Sequence, residues 1–185
     1  MKKKNVKLIE PSTAYLQSYL AACRENKQQD GGKFSGAFRD PDDFAQWKDS
    51  VAADAQAQRV GRNLPEGYVP CSTFWLVEDA EFIGVGHIRH ALTPALERFG
   101  GHIGYAIRPS KRGQGCGTVQ LTLLLAEAAK LGIAEALVTC DDDNIGSWRV
   151  MEKNGGRYLD TIENIIDGSP KRTRRYLIPT APNGA

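Results

Sequence analysis

The stretch 108-RPSKRGQGCGT-118 places three glycines and three basic residues within eleven positions. Alternating glycines let backbone N–H groups converge on a point that side chains would otherwise screen. A helix starting directly after them adds its own unbonded N–H groups and the positive end of its dipole. The chemistry suited to such a concavity is anion binding, above all of a phosphate. Spacing excludes two common phosphate loops. A P-loop requires Lys-Ser or Lys-Thr after its last glycine, and neither follows here. The dinucleotide fingerprint G-x-G-x-x-G, started at Gly113 and Gly115, meets Thr118 where its third glycine should stand. What fits is R-x-x-G-x-G, on Arg112, Gly115 and Gly117.

The elements around the loop follow from periodicity. Residues 6–9 form a short strand. Pro11-Ser12 opens a helix whose stripe Leu16, Tyr19, Leu20, Cys23 keeps the spacing of one helical face, until Gly31-Gly32 breaks it. Asp40 as cap and Pro41 in the first turn begin a second helix, with Phe44, Trp47 and Val51 on its buried side. Residues 61–70 make a loop. Strands 72–78 and 82–92 are joined by Asp79-Ala80-Glu81, and 102–107 is a further strand ended by Pro109. The glycine loop feeds a helix over 117–131. A strand over 136–140, a helix over 144–154 and a closing pair of strands over 157–163 and 173–178 complete the chain. Lys171, Arg172, Arg174 and Arg175 read as solvated charge on a strand edge. The order indicates an α/β or α+β domain with a mixed sheet.

Bulk properties exclude several classes. The chain has 185 residues, 41% hydrophobic and 25% charged, with a formal net charge of +2. That is an ordinary composition for one globular domain, and too weak a charge for a nucleic-acid binder. Four cysteines lie far apart without a C-x-x-C pair, which favours reduced thiols in a cytoplasmic protein over disulfides or zinc. No apolar run approaches a membrane span. His87 and His90, three apart on a strand, point to opposite faces and make a poor chelate. No metal is expected.

In its β-loop-α setting the glycine loop resembles that of the GNAT superfamily of acyl-CoA-dependent N-acetyltransferases. HIGYAIRPSKRGQGCG is similar to that family's strand, connection and pyrophosphate loop, and CDDDNIGSWRVMEKNGG to its next strand and helix. The whole chain is similar to a bacterial subgroup of predicted acetyltransferases. The resemblance implies one domain over 1–185, with an N-terminal strand and acceptor-side helices (6–70), a central sheet and CoA-binding core (72–156) and closing strands (157–178). It implies a mostly antiparallel sheet flanked by helices, with a splayed strand pair holding acyl-CoA. It implies acetyl transfer from acetyl-CoA to a primary amine by direct attack, the alternative being a non-catalytic acyl-CoA sensor. The implied partners are acetyl-CoA and an amine acceptor, without nucleic acid or membrane, and the resemblance is compatible with a homodimer. The CoA-binding set is Tyr105, Ala106 and Ile107 along the strand, Arg112, Gly113, Gln114, Gly115, Cys116, Gly117 and Thr118 in the loop, and Asn144 at the next helix, where the competing reading is a helix cap. The family's glutamate base and tyrosine acid fall on Gly101 and Met151 here, so neither is inherited. His102, beside the first of these, is the candidate base, because imidazole titrates in the useful range. Phe38, Arg39 and Tyr68, on expected loops, and Asp141, at a strand end, are the candidate acceptor contacts.

Overall fold

The computed structural model describes residues 5–31, 38–166 and 168–180. Gly32, the second glycine of the pair expected to end the first helix, lies outside them. Among the described residues there are seven strands, interspersed with helices: β1 (Val6–Ile9), β2 (Cys71–Glu78), β3 (Glu81–Arg89), β4 (Ile103–Ile107), β5 (Glu135–Asp141), β6 (Arg157–Ile166) and β7 (Ser169–Pro179). They form one sheet in the order β1-β2-β3-β4-β5-β7-β6. Every neighbouring pair is antiparallel except β4 with β5. That parallel pair meets only at its start, where Ile103 aligns with Val138 and the His102 N–H donates to the Leu137 carbonyl at 2.7 Å. Beyond Ile103 the strands part, as the resemblance implied.

Strand alternation divides the core between the two faces of the sheet. On one face Trp75, Val77, Val85 and Ala106 pack with Tyr19, Leu20 and Cys23 of helix α1 (Leu16–Asp30), with Trp47 of α2 (Phe44–Trp47) and with Val51, which opens α3 (Val51–Arg59). On the other face Phe74, Ile88, Ile103 and Val138 pack under α5 (Cys116–Lys130) and α6 (Ile145–Lys153). Of the stripe foreseen for α1, Tyr19, Leu20 and Cys23 are buried and Leu16 is half-buried, and Gly31 ends that helix in the left-handed conformation (φ 59°).

Three expectations need correction. The single helix after Asp40 is two, because local bonds compete with continued helix: the Trp47 indole donates to the Asp40 carbonyl at 2.7 Å and Ser50 Oγ donates to the Trp47 carbonyl at 3.2 Å. The connection over 93–100 contains a short helix, α4 (Pro94–Arg98), whose cap is Thr93 Oγ1 accepting from the Leu96 N–H at 3.3 Å. The charged strand β7 is not an edge: it lies between β5 and β6. Its basic side chains are paired, Arg174 Nε with Asp142 and Arg175 with Asp160 (2.5 Å each) and Lys171 with Asp141 (3.6 Å).

Candidate active site

Where β4 and β5 separate, a cleft of about 420 Å³ opens between β4 and α6, closed at its mouth by the glycine loop. Pro109–Lys111 forms a single 3-10 turn, after which Gly113 (φ 73°) and Gly115 (φ 82°) take left-handed conformations that L side chains rarely adopt. The N–H groups of Thr118 and Val119 turn back onto the Gly115 carbonyl (3.1 and 3.3 Å), and that of Arg112 onto Pro109 (3.2 Å). Among the described residues no backbone carbonyl takes the N–H of Gly113, Gln114, Gly115 or Gly117. The amides such a loop could offer to an anion are therefore a shorter run than Arg112 to Thr118, set at the N-terminus of α5.

The basic side chains of this stretch have a different task from the one their proximity suggests. The buried Arg108 guanidinium is held by Glu25 of α1 and by Glu81 of β3 (3.0 Å). Lys111 pairs with Glu81 at 2.6 Å. Arg112 donates to both carboxylate oxygens of Asp30 (3.1 and 2.6 Å) and to the Ile107 carbonyl (3.1 Å). Together they fasten the loop to α1 and to the start of β3. The positive rim of the cleft comes instead from Arg149 and Lys153, one turn apart on α6, and among the described residues neither forms an ion pair.

Of the residues expected to hold the cofactor, ten line this one cleft: Tyr105, Ala106, Ile107, Arg112, Gly113, Gly115, Cys116, Gly117, Thr118 and Asn144. Gln114 does not; its amide donates to the Ser110 carbonyl at 2.9 Å. Asn144 Oδ1 caps α6 by accepting from the Ser147 N–H at 3.1 Å, and the residue also lines the cleft. Ser147 escaped the sequence reading. It stands one helical turn after Asn144, and its Oγ lies 3.0 Å from the Tyr105 hydroxyl, which donates to the Ser147 carbonyl at 3.2 Å. Burial pushes the Tyr105 phenol well above its ordinary range, so it stays protonated. Met151, at the position of the family's tyrosine, is fully buried in the core.

The base candidates sit at the start of the splay. A Cβ added to Gly101 (φ 60°) would lie 2.4 Å from the Leu137 carbonyl oxygen, so β5 leaves no room there for a glutamate. His102 Nδ1 accepts from the Leu137 N–H at 3.0 Å. The neutral ring then carries its proton on Nε2, which leaves no lone pair for an incoming one. Burial, with the Arg89 charge in support, holds its pKa below the ordinary value and keeps it neutral. This geometry makes His102 a clasp between β4 and β5 and does not support a base role.

A second cavity, of about 180 Å³, lies on the α1/α3 face of the sheet. Arg39, Asp54, Thr73 and His87 line it above Trp75 and Val85. Arg39 pairs with Asp54 at 2.8 Å, and Thr73 Oγ1 lies 3.1 Å from His87 Nδ1. Phe38 also lines it but is not on an exposed loop: it is buried, edge-on to Phe82. Tyr68 is exposed and outside this cavity. Asp141 lies in a separate crevice with Asp142, Asp143 and Lys171, so the four candidate acceptor contacts do not converge. Among the described residues there is no group of three His, Cys, Asp or Glu side chains able to hold a metal ion. Nor is any described helix long and apolar enough to cross a membrane.

The model of the GNAT acetyltransferase domain family matches residues 22–157, well over half of the chain. The chain belongs to the GNAT family of acetyltransferases. No curated protein matches it in sequence. Among solved structures it resembles RimL, the ribosomal L7/L12 alpha-N-protein acetyltransferase, in complex with coenzyme A, with a TM-score of 0.66 at 18% identity over 94% of this chain and 93% of that one. Mycobacterium smegmatis RimJ in complex with CoA-disulfide gives 0.69 at 18% identity, over 94% and 81%. The microcin C7 self-immunity acetyltransferase MccE, with acetyl-CoA and AMP, gives 0.64 at 16% identity, over 94% and 92%. At these identities the likeness is one of fold.

Proposed function

We propose that the chain moves an acetyl group from acetyl-CoA to a primary amine of a small molecule or peptide, by direct attack in a ternary complex. The observation that carries this reading is the β4–β5 splay, which opens onto a cleft ended by unbonded loop amides. Those amides and the α5 N-terminus suit a diphosphate. The parted edge of β4, over Tyr105 to Ile107, offers backbone groups to an extended amide-bearing arm, as an added strand would use them. Asn144 faces that arm from α6. The hydroxyls of Ser147 and Tyr105, 3.0 Å apart in residues that line the cleft, are the proton donors we assign to the leaving thiolate. Holding both reactants in one geometry supplies much of the rate. That RimL and RimJ are bound to coenzyme A forms, and MccE to acetyl-CoA, supports the same assignment.

The test is free-thiol release from acetyl-CoA across a panel of amines and N-terminal peptides, with calorimetry of acetyl-CoA binding alongside. Release with one acceptor class is expected. Gly115→Glu should abolish acetyl-CoA binding while the protein still folds, because it sets a carboxylate among the phosphate-facing amides. Unchanged affinity in that folded variant would refute the site. Binding without release for any acceptor would favour an acyl-CoA sensor.

A further inference from the structure

We infer that Gly104 determines which amines the site accepts, by leaving room on the α1/α3 face of β4 for a substituent on the amine-bearing carbon. The inference rests on the acetyl-transfer reading above and names the acceptor class it admits: primary amines on a branched carbon, as at a peptide N-terminus.

It starts from a glycine that packing does not require. Glycine inside a strand weakens it, and the usual causes are a bulge, a close approach of backbone, or a ligand. The described strands hold three glycines, Gly84 and Gly86 on β3 and Gly104 on β4. A Cβ at Gly84 would lie 2.6 Å from the Ala106 carbonyl oxygen, and one at Gly86 would lie 2.5 Å from Leu124 Cδ1. Packing demands both. A Cβ at Gly104 would meet, among the described residues, only Arg89 Nη1 at 3.9 Å, an ordinary contact. No positive φ calls for glycine there. Gly104 is also only half-buried, although β4 is the central strand of the sheet.

The space over Gly104 lies where the reactants must meet. The Arg89 N–H donates to the His102 carbonyl at 2.8 Å and the Arg108 N–H to the Ile83 carbonyl at 2.9 Å. By alternation, Gly104 and Ala106 turn their backbone groups to β3, while Tyr105 and Ile107 turn theirs to the gap. The Tyr105 N–H is the first such amide beyond the Ile103–Val138 pairing. A thioester carbonyl polarised by it lies against the Gly104–Tyr105 peptide bond. The Tyr105 side chain packs on the α5/α6 face, and on the opposite face Gly104 contributes no side chain at all. The amine comes in over Gly104. On that face Gly104 is the register partner of His87, and Ala106 of Val85. Opposed residues of an antiparallel pair have Cα atoms about 4.5–5.5 Å apart. His87 and Val85 line the smaller cavity, and Ala106 lines the CoA cleft. The step from one to the other crosses the two smallest residues of β4.

The experiment measures kcat/KM for primary amines that differ only by methyl groups on the amine-bearing carbon, including glycine-, alanine- and valine-initiated peptides. Wild type, Gly104→Ala and Gly104→Val are compared. Wild type should acetylate branched members of the series. Gly104→Ala should lower kcat/KM for a branched amine about tenfold more than for its unbranched counterpart, the effect of one methyl group in a pocket. Gly104→Val should widen that gap. Acetyl-CoA affinity by calorimetry should stay within about twofold of wild type, because the arm and diphosphate use other residues. Gly104→Ala should melt no lower than wild type, since a strand-interior glycine is replaced where there is room. No loss, or an equal loss for branched and unbranched amines, in folded Gly104→Ala overturns the selectivity and leaves acetyl transfer standing. A wild type that acetylates only unbranched amines does the same. A wild type that binds acetyl-CoA and acetylates nothing overturns both.

Discussion

At the scale of single residues, the start of β4 shows how one strand contact settles two functions. Gly101 is pressed onto the Leu137 carbonyl and His102 Nδ1 onto the Leu137 N–H, so both bind β5 at the last point before the splay. A histidine used in this way has a stability signature. The unfolded ring binds a proton at its ordinary value of 6.5, whereas burial and then Arg89 make the folded ring bind it less readily. Stability is therefore complete above the ordinary value and is lost as pH falls from there to the depressed folded value. His90 is depressed too, by burial and then by Arg59, and adds a like loss. His102→Gln can keep the bond through its amide oxygen but cannot titrate. Its melting temperature should fall less than that of wild type between about pH 8 and pH 5, with the His90 part remaining. Equal falls in the two proteins would show that His102 is not held neutral by the fold.

At the scale of elements, α6 does what the glycine loop's own side chains do not. Arg108, Lys111 and Arg112 are engaged by Glu25, Glu81 and Asp30, while Arg149 and Lys153 stand at the cleft rim without a carboxylate partner among the described residues. Coenzyme A carries phosphates that such a rim attracts. Replacing both Arg149 and Lys153 by alanine should weaken acetyl-CoA binding about tenfold or more at low salt and flatten its salt dependence, since screened charge supplies that part of the affinity. Arg112→Ala should cost less affinity than this pair, its loss appearing as a looser joint to α1. Calorimetry at two ionic strengths separates them, and a larger loss for Arg112→Ala would reverse the assignment. Here the limits of the sequence are physical. The glycines, the helix after them and Asn144 were legible, because backbone geometry and capping are local. The carboxylates that occupy the basic residues sit 27 to 83 positions away, as Arg108 to Glu81 and Arg108 to Glu25 illustrate, and no local pattern announces them. Ser147 was within reach, one turn from Asn144, and so was the Thr93-Pro94 start of α4. The second cavity was not, because it brings Arg39, Asp54 and His87 together from separate parts of the chain.

At the scale of the molecule, the two cores lie on opposite faces of one sheet, and the sheet opens where β4 leaves β5. The face with α1 and α3 carries the smaller cavity; α5 and α6 border the cleft proposed for the phosphates and arm. A ligand along β4 replaces the missing strand contact and ties that strand to α6 across the gap. Binding to the folded state alone must stabilise it by linkage: at a hundred times Kd, acetyl-CoA should add about 2.7 kcal/mol. For a chain of this length that corresponds to a rise in melting temperature of about 5–10 °C. Hydrogen exchange should slow in step at the amides of Tyr105 to Ile107 and in the first turn of α5. Gly115→Glu should show neither change at the same ligand concentration. Equal stabilisation of that variant would mean that acetyl-CoA is held away from the splay, and the division of labour between the two faces would fall with it.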